Sequence, residues 1–174
     1  MKSITVTRKL DDDFIQNEIG IKDYDKYLLP SEIKFNHKAR AVSSFDIASI
    51  CRPFASCKYE QALIVGIDDK YRVVCEVNVS TDNCSPIQCS IDYQKAINSL
   101  KDIAHWAFLV HNHILQEGEQ IKPSKEDYDV AYNLLQELKK VDVMLVDSII
   151  VGKDKFYSLG STSKQNPSGE FTYR

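Results

Sequence analysis

The stretch from His105 to Asp127, HWAFLVHNHILQEGEQIKPSKED, decides the reading of this chain. Largely apolar residues from His105 to Val110 end abruptly in His111-Asn112-His113. A run that short, apolar and aromatic, with helical patterns on both sides, predicts a strand buried on both faces. Strand side chains alternate, so His111 and His113 project from one face at the strand's end. Two imidazoles held that way are half of a zinc site. After a ten-residue loop, Pro123-Ser124-Lys125-Glu126-Asp127 reads as the start of a helix. Asp127 can bring a carboxylate back to the same metal. Two His and one carboxylate leave a fourth position open, as catalytic zinc requires.

Each of these residues also has a plain structural reading. Ser124 to Asp127 fits a capping box, with Ser at the N-cap and an acidic residue three further on. A lone His at a strand end is usually a packed or surface residue. Here three of the chain's four His fall between positions 105 and 113, two on one strand face, and a helix-initiating Asp follows. That combination favours a metal.

Working outward, 174 residues suit one domain with extensions, and 43% hydrophobic residues can build a core. A net charge of −3 gives no general pull toward nucleic acid or membrane phosphates. No apolar run reaches transmembrane length and the first residues lack the apolar core of a signal peptide, so a cytoplasmic protein is expected. The five Cys (51, 57, 75, 84 and 89) form no CxxC pair and read as buried thiols of a reducing compartment. A Cys84–Cys89 pairing is the alternative.

Residues 1–42 form an N-terminal extension in this reading. Ile4 and Val6 suggest a short strand, Leu10–Leu29 a helix or partly ordered arm, and His37 a solvent-exposed residue. From Ser43 the pattern sharpens. Ser44 is expected to cap a helix carrying Ile47, Ile50 and Phe54. Strand Ala62–Ile67, a turn at Asp68-Asp69-Lys70 and strand Tyr71–Val79 make a hairpin, with Val73, Cys75, Val77 and Val79 on one face. Tyr93, Ala96, Ile97 and Leu100 recur at helical spacing. That helix followed by the His105 strand makes a crossover in a parallel or mixed sheet. Trp106 reads as core and His105 as structural. The helix from Ser124 turns Ala131, Leu134, Leu135 and Leu138 to one side. Strand Val143–Val151 follows, with Asp147 as a buried-charge candidate that needs a partner, a ligand His or a backbone amide; the plain alternative is a simple strand bulge or edge. Phe156–Leu159 is the last expected strand, and residues 161–174 read as a flexible C-terminal tail.

His-x-His, a loop, then Ser-x-x-Asp resembles the signature of the JAB/JAMM (MPN) metalloproteins. The closer resemblance is to the RadC-like JAB branch, carried by His111-Asn112-His113, by Pro123-Ser124 with Asp127, and by Asp147-Ser148-Ile149-Ile150-Val151-Gly152. It covers roughly residues 43 to 159, leaving 43–160 as the domain. The resemblance implies an α/β fold, a three-layer α-β-α sandwich of the JAB/MPN (deaminase-like) type with a mixed sheet. It implies one Zn2+ per chain on His111, His113 and Asp127. It also implies an upstream Glu at the head of the first core strand, and Glu60 stands there; on its own Glu60 reads as an ordinary exposed charge. Two departures stand out. The loop between His113 and Ser124 is longer than the family's usual spacing and brings Glu117 and Glu119 near the site, and Ser148 replaces a usual His. A longer loop costs little entropy and leaves the Ser124–Asp127 spacing intact.

The activity implied is that of a zinc metalloprotease of JAMM type, hydrolysing a peptide or isopeptide bond. Glu60 would act as general base on a zinc-bound water, and Ser124 would donate a hydrogen bond to the oxyanion. Asn112 points to the opposite strand face and anchors the loop. Implied partners are peptide or protein substrates, ubiquitin-like conjugates among them. The acidic balance argues against nucleic acid as a direct ligand, and no membrane partner is expected. Two alternatives stay open: a non-catalytic JAB-like interaction module, and an accessory protein in DNA repair or recombination.

Overall fold

The computed structural model describes residues 41, 43–57, 59–81, 89–161 and 169–173. The expectations for Ile4 and Val6, for Leu10–Leu29, for His37 and for Cys84 lie outside them. The described chain runs α1 (Ser44–Cys51), a 3-10 turn (Arg52–Ser56), β1 (Ala62–Ile67), β2 (Val73–Asn78), α2 (Tyr93–Leu100), β3 (Trp106–Asn112), α3 (Lys125–Lys139), β4 (Met144–Val151), β5 (Lys155–Ser158) and β6 (Glu170–Thr172).

These strands form one mixed sheet in the order β2-β1-β3-β4-β5-β6. β1 is antiparallel to both β2 and β3, and β3 is parallel to β4. Both same-direction steps, β2 to β3 and β3 to β4, are bridged by a helix, because parallel strands need a long crossover. α1 and the 3-10 turn pack on one face over Leu63, Val65, Phe108, Val110 and Ile149. α2 and α3 pack on the other over Ala62, Ile64, Ala107 and Leu109. The result is the expected three-layer α-β-α sandwich. β3 is buried from Ala107 to Asn112, which is why its sequence is a continuous apolar run rather than an alternating one. Gly66 admits α2 to the sheet: a Cβ there would stand 2.6 Å from Leu100 Cδ2.

Four expectations need correction. The N-cap of α1 is Ser43, whose hydroxyl accepts from Asp46 N in a capping box; Ser44 lies one residue inside and turns its hydroxyl to Asp147. In β2 a register shift opposite Gly66/Ile67 sends Val73 to the α1 side while Cys75, Val77 and Val79 face α2, so the four do not share a face. Trp106 is half-buried and stacks on exposed Tyr71, with ring centroids 5.1 Å apart, rather than lying in the core. For Asp147, by contrast, the backbone-amide alternative holds: it accepts from Ser148 N and Gly160 N at 2.8 Å each and from the hydroxyls of Ser44 and Ser158; among the described residues it bonds no ligand His. A bulge does occur beside it, where the β3–β4 register shifts between Ala107 and Phe108, but Asp147 stays buried.

The fourth correction is the tail. Glu170–Thr172 pairs with β5 as an edge strand. Its order comes from aromatic burial: Phe171 packs 5.3 Å from Phe45 and 5.5 Å from Phe156, and Tyr173 lies under the Arg52 guanidinium at 4.7 Å. The polar, Gly-containing segment before it hides this signal in the sequence.

Candidate metal centre

β3 carries its two imidazoles past the point where the sheet's apolar filling ends. Ala107, Leu109 and His111 share the α2–α3 face, and His113 follows two residues on. The first turn of α3 comes back over them. Ser124 and Asp127 cap this helix reciprocally: Ser124 Oγ accepts from Asp127 N at 3.1 Å, and Asp127 Oδ2 accepts from Ser124 N at 2.7 Å. The box fixes the Asp127 rotamer, so that Oδ1 faces His111 while Oδ2, which also accepts from Ser124 N, faces His113.

His111 Nε2 lies 3.0 Å from Asp127 Oδ1, His113 Nε2 lies 3.2 Å from Asp127 Oδ2, and the two Nε2 atoms are 3.3 Å apart. Zinc bonds of about 2.0–2.1 Å in tetrahedral array put neighbouring ligand atoms roughly 3.3 Å apart, close to each of these three contacts, and one donor atom from each residue can be chosen so that all lie within 4.8 Å of one another. Protons do not account for the contacts equally well. With the Nε2–H of each neutral imidazole directed at Asp127, none remains between the two nitrogens. One cation satisfies all three contacts. His111, His113 and Asp127 therefore fit a zinc ion as three ligands, and within the described residues they are the one such group.

The local field favours positive charge. Burial opposes ionisation of Asp127, but hydrogen bonds from His111 and His113 and the Ser124 amide outweigh it and hold the carboxyl well below its usual range. Burial likewise opposes a charged His113, yet Asp127, Glu60 and Glu119 together raise its pKa.

Glu60 stands where the β1–β3 register puts it. Ala62 is paired with His111; continuing the antiparallel ladder by two residues sets Glu60 opposite His113, on the same face. The two line a cavity of about 270 Å³ with Ile114, Leu115, Glu119 and Lys122. Ser124 is exposed and does not line this cavity. Its oxygen is taken as acceptor by the cap, and its hydroxyl hydrogen remains available.

The lengthened loop 114–123 is held at both ends. Leu115 and Ile121 pack on Ile150 and Tyr157, and Ile121 N donates to Glu170 Oε2 at 3.2 Å. Ser148 is buried and makes no side-chain hydrogen bond among the described residues, so it gives the ligands no support. Of the two loop carboxylates expected near the site, Glu119 is the one whose charge reaches His113. One feature escaped the sequence: the bonds that Asn112 makes around Glu60, which have no local signal because they join segments distant in the chain.

The sequence profile of the RadC-like JAB domain matches residues 41–165. This chain belongs to that family. Two curated relatives agree. A UPF0758 protein of Staphylococcus epidermidis is 24% identical over 152 residues, covering 80% of this chain and 65% of that protein. A UPF0758 protein of Coprothermobacter proteolyticus is 34% identical over 101 residues, covering 58% of this chain and 41% of that protein. The chain thus spans less than two thirds of the length of these RadC-like relatives. Within the RadC-like domain here, the His-His-Asp group sits at the C-terminal end of β3 and the N-terminus of α3.

Proposed function

We propose that this RadC-like domain is a zinc-dependent hydrolase of peptide or isopeptide bonds, acting on a peptide or protein substrate in the cytoplasm, with ubiquitin-like conjugates among the candidate substrates. The observation that carries this reading is the His111–His113–Asp127 group, with Glu60 lining the same cavity as His113.

His111, His113 and Asp127 would hold the zinc, which supplies Lewis acidity and brings the pKa of a water toward about 7. Glu60 then serves as proton acceptor at its carboxylate and returns that proton to the leaving nitrogen. Ser124 offers its hydroxyl hydrogen to the oxygen that becomes negative. The Ser124–Asp127 box orients the carboxylate, and Leu115 and Ile114 keep one wall of the cavity apolar.

The test begins with metal content. Purified protein should hold about one zinc per chain, and His113→Ala should hold none. Absence of zinc from both would leave the interaction-module reading, which the lengthened loop favours. No helix of the described chain is long and apolar enough to cross a membrane.

A further inference from the structure

We propose that Asn112 is the residue that positions Glu60. The inference rests on the reading of Glu60 given above and extends it to the other face of the same strand.

Hydrogen-bonded β1 starts at Ala62, so Glu60 lies ahead of the regular ladder. A proton acceptor on irregular backbone must be held by something else, since its reach of about 3 Å leaves little tolerance. The holder comes from between the two His ligands. Asn112 is fully buried. Its Oδ1 accepts from Gln61 N at 2.8 Å, and its Nδ2 donates to Tyr59 O at 3.0 Å. Its own amide reaches Gln61 O at 3.4 Å. These bonds take the backbone on both sides of Glu60.

A primary amide supplies an acceptor and a donor on one short planar group, whereas an ionised carboxylate of the same shape supplies acceptors alone. The two bonds also assign the amide: its oxygen faces the N–H and its nitrogen the C=O. Asp in this place would keep the shape and the first bond but turn an oxygen toward the Tyr59 carbonyl. A second set of bonds steadies the segment from β2. Asn78 Nδ2 donates to Gln61 Oε1 at 2.8 Å, Ser80 N donates to Asn78 Oδ1 at 2.9 Å, and Ala62 N donates to Ser80 Oγ at 2.7 Å. These bonds reach Gln61 and Ala62 but not Tyr59, whereas those of Asn112 bracket Glu60 on both sides. Alternation along β3 then does two tasks: His111 and His113 go to the ligand face, and Asn112 goes to the opposite face to hold the base.

The experiment uses the full chain loaded with Co2+ and read by its visible spectrum, which responds to hydrogen bonding at the open coordination position. Wild type is compared with Glu60→Gln, Asn112→Asp, the double variant, and Ser80→Ala as a control that loosens the same segment beyond Glu60. All should bind one metal per chain. Asn112→Asp should shift the spectrum as Glu60→Gln does, the double variant should show no further shift, and Ser80→Ala should match wild type. A wild-type spectrum in Asn112→Asp, or shifts that add in the double variant, would overturn the positioning role while leaving the metal reading intact. A Glu60→Gln spectrum identical to wild type would overturn it together with the base role. If neither Asn112→Asp nor Asn112→Ala folds, Asn112 is a folding residue and the inference fails. Wild type that takes up no Co2+ would sink the metal reading itself, and the inference with it.

Discussion

His113 is where three acidic side chains converge, Asp127 by contact and Glu60 and Glu119 through their charge. The field that raises its pKa makes proton and metal competitors for one nitrogen. Metal binding needs neutral imidazole, so the metal should be retained while pH lies above the raised His113 value and lost as pH falls through it. Zinc retention followed by dialysis across a pH series checks this; retention unchanged well below the ordinary His pKa near 6.5 would contradict it. Glu60→Gln should keep its zinc and lose hydrolysis by about 100- to 10,000-fold, the range for a lost proton acceptor. Full activity on any cleavable substrate would remove Glu60 from the mechanism.

At the scale of elements, two contacts hold the sandwich around the site. Asp147 on β4 gathers Ser44 from α1, Ser158 from β5 and the Gly160 amide, so one buried carboxylate ties a helix to two strands and a turn. Asp147→Ala leaves those donors buried without an acceptor and should cost about 3 kcal/mol, measured by urea unfolding. A loss under about 1 kcal/mol would mean that water replaces the carboxylate. β6 is the second. Glu170 receives Ile121 N from the lengthened loop and Lys155 from β5, while Tyr173 donates to Gly152 O at 2.9 Å. Removing residues after Gly169 should free the loop at Ile121 and speed amide exchange there more than in β3. Equal exchange in both chains would show that Leu115 and Ile121 hold the loop alone.

For the whole molecule, ligands from β3 and α3 join one metal, so metal binding is linked to folding. Zinc at 100 times its dissociation constant should add about 2.7 kcal/mol. For a chain of this size that raises Tm by roughly 5–10 °C. Calorimetry with and without zinc should show the shift in wild type and none in His113→Ala. A zinc-independent Tm in wild type would place any bound metal elsewhere.

Much of this was legible because local rules and the fold agree. The buried run ending in His111-Asn112-His113 could only be a two-faced strand with paired imidazoles. The Ser124–Asp127 spacing had to cap a helix, and the hairpin and helix periodicities set the order of layers. A capping box reads the same wherever its helix lands, so whether Asp127 would meet the histidines waited on the parallel β3–β4 packing beneath α3. Glu60 waited likewise on the β1–β3 register. The clamp by Asn112, the gathering of donors at Asp147 and the ordering of Phe171 and Tyr173 had no local signature. The sequence by itself determined the helices and strands from α1 to β5 and the strand alternation of the two histidines, because these follow from backbone periodicity. The tertiary structure alone decided which distant carboxylates and amides come together, because burying unpaired polar groups is costly and only the assembled sheet shows where their partners lie.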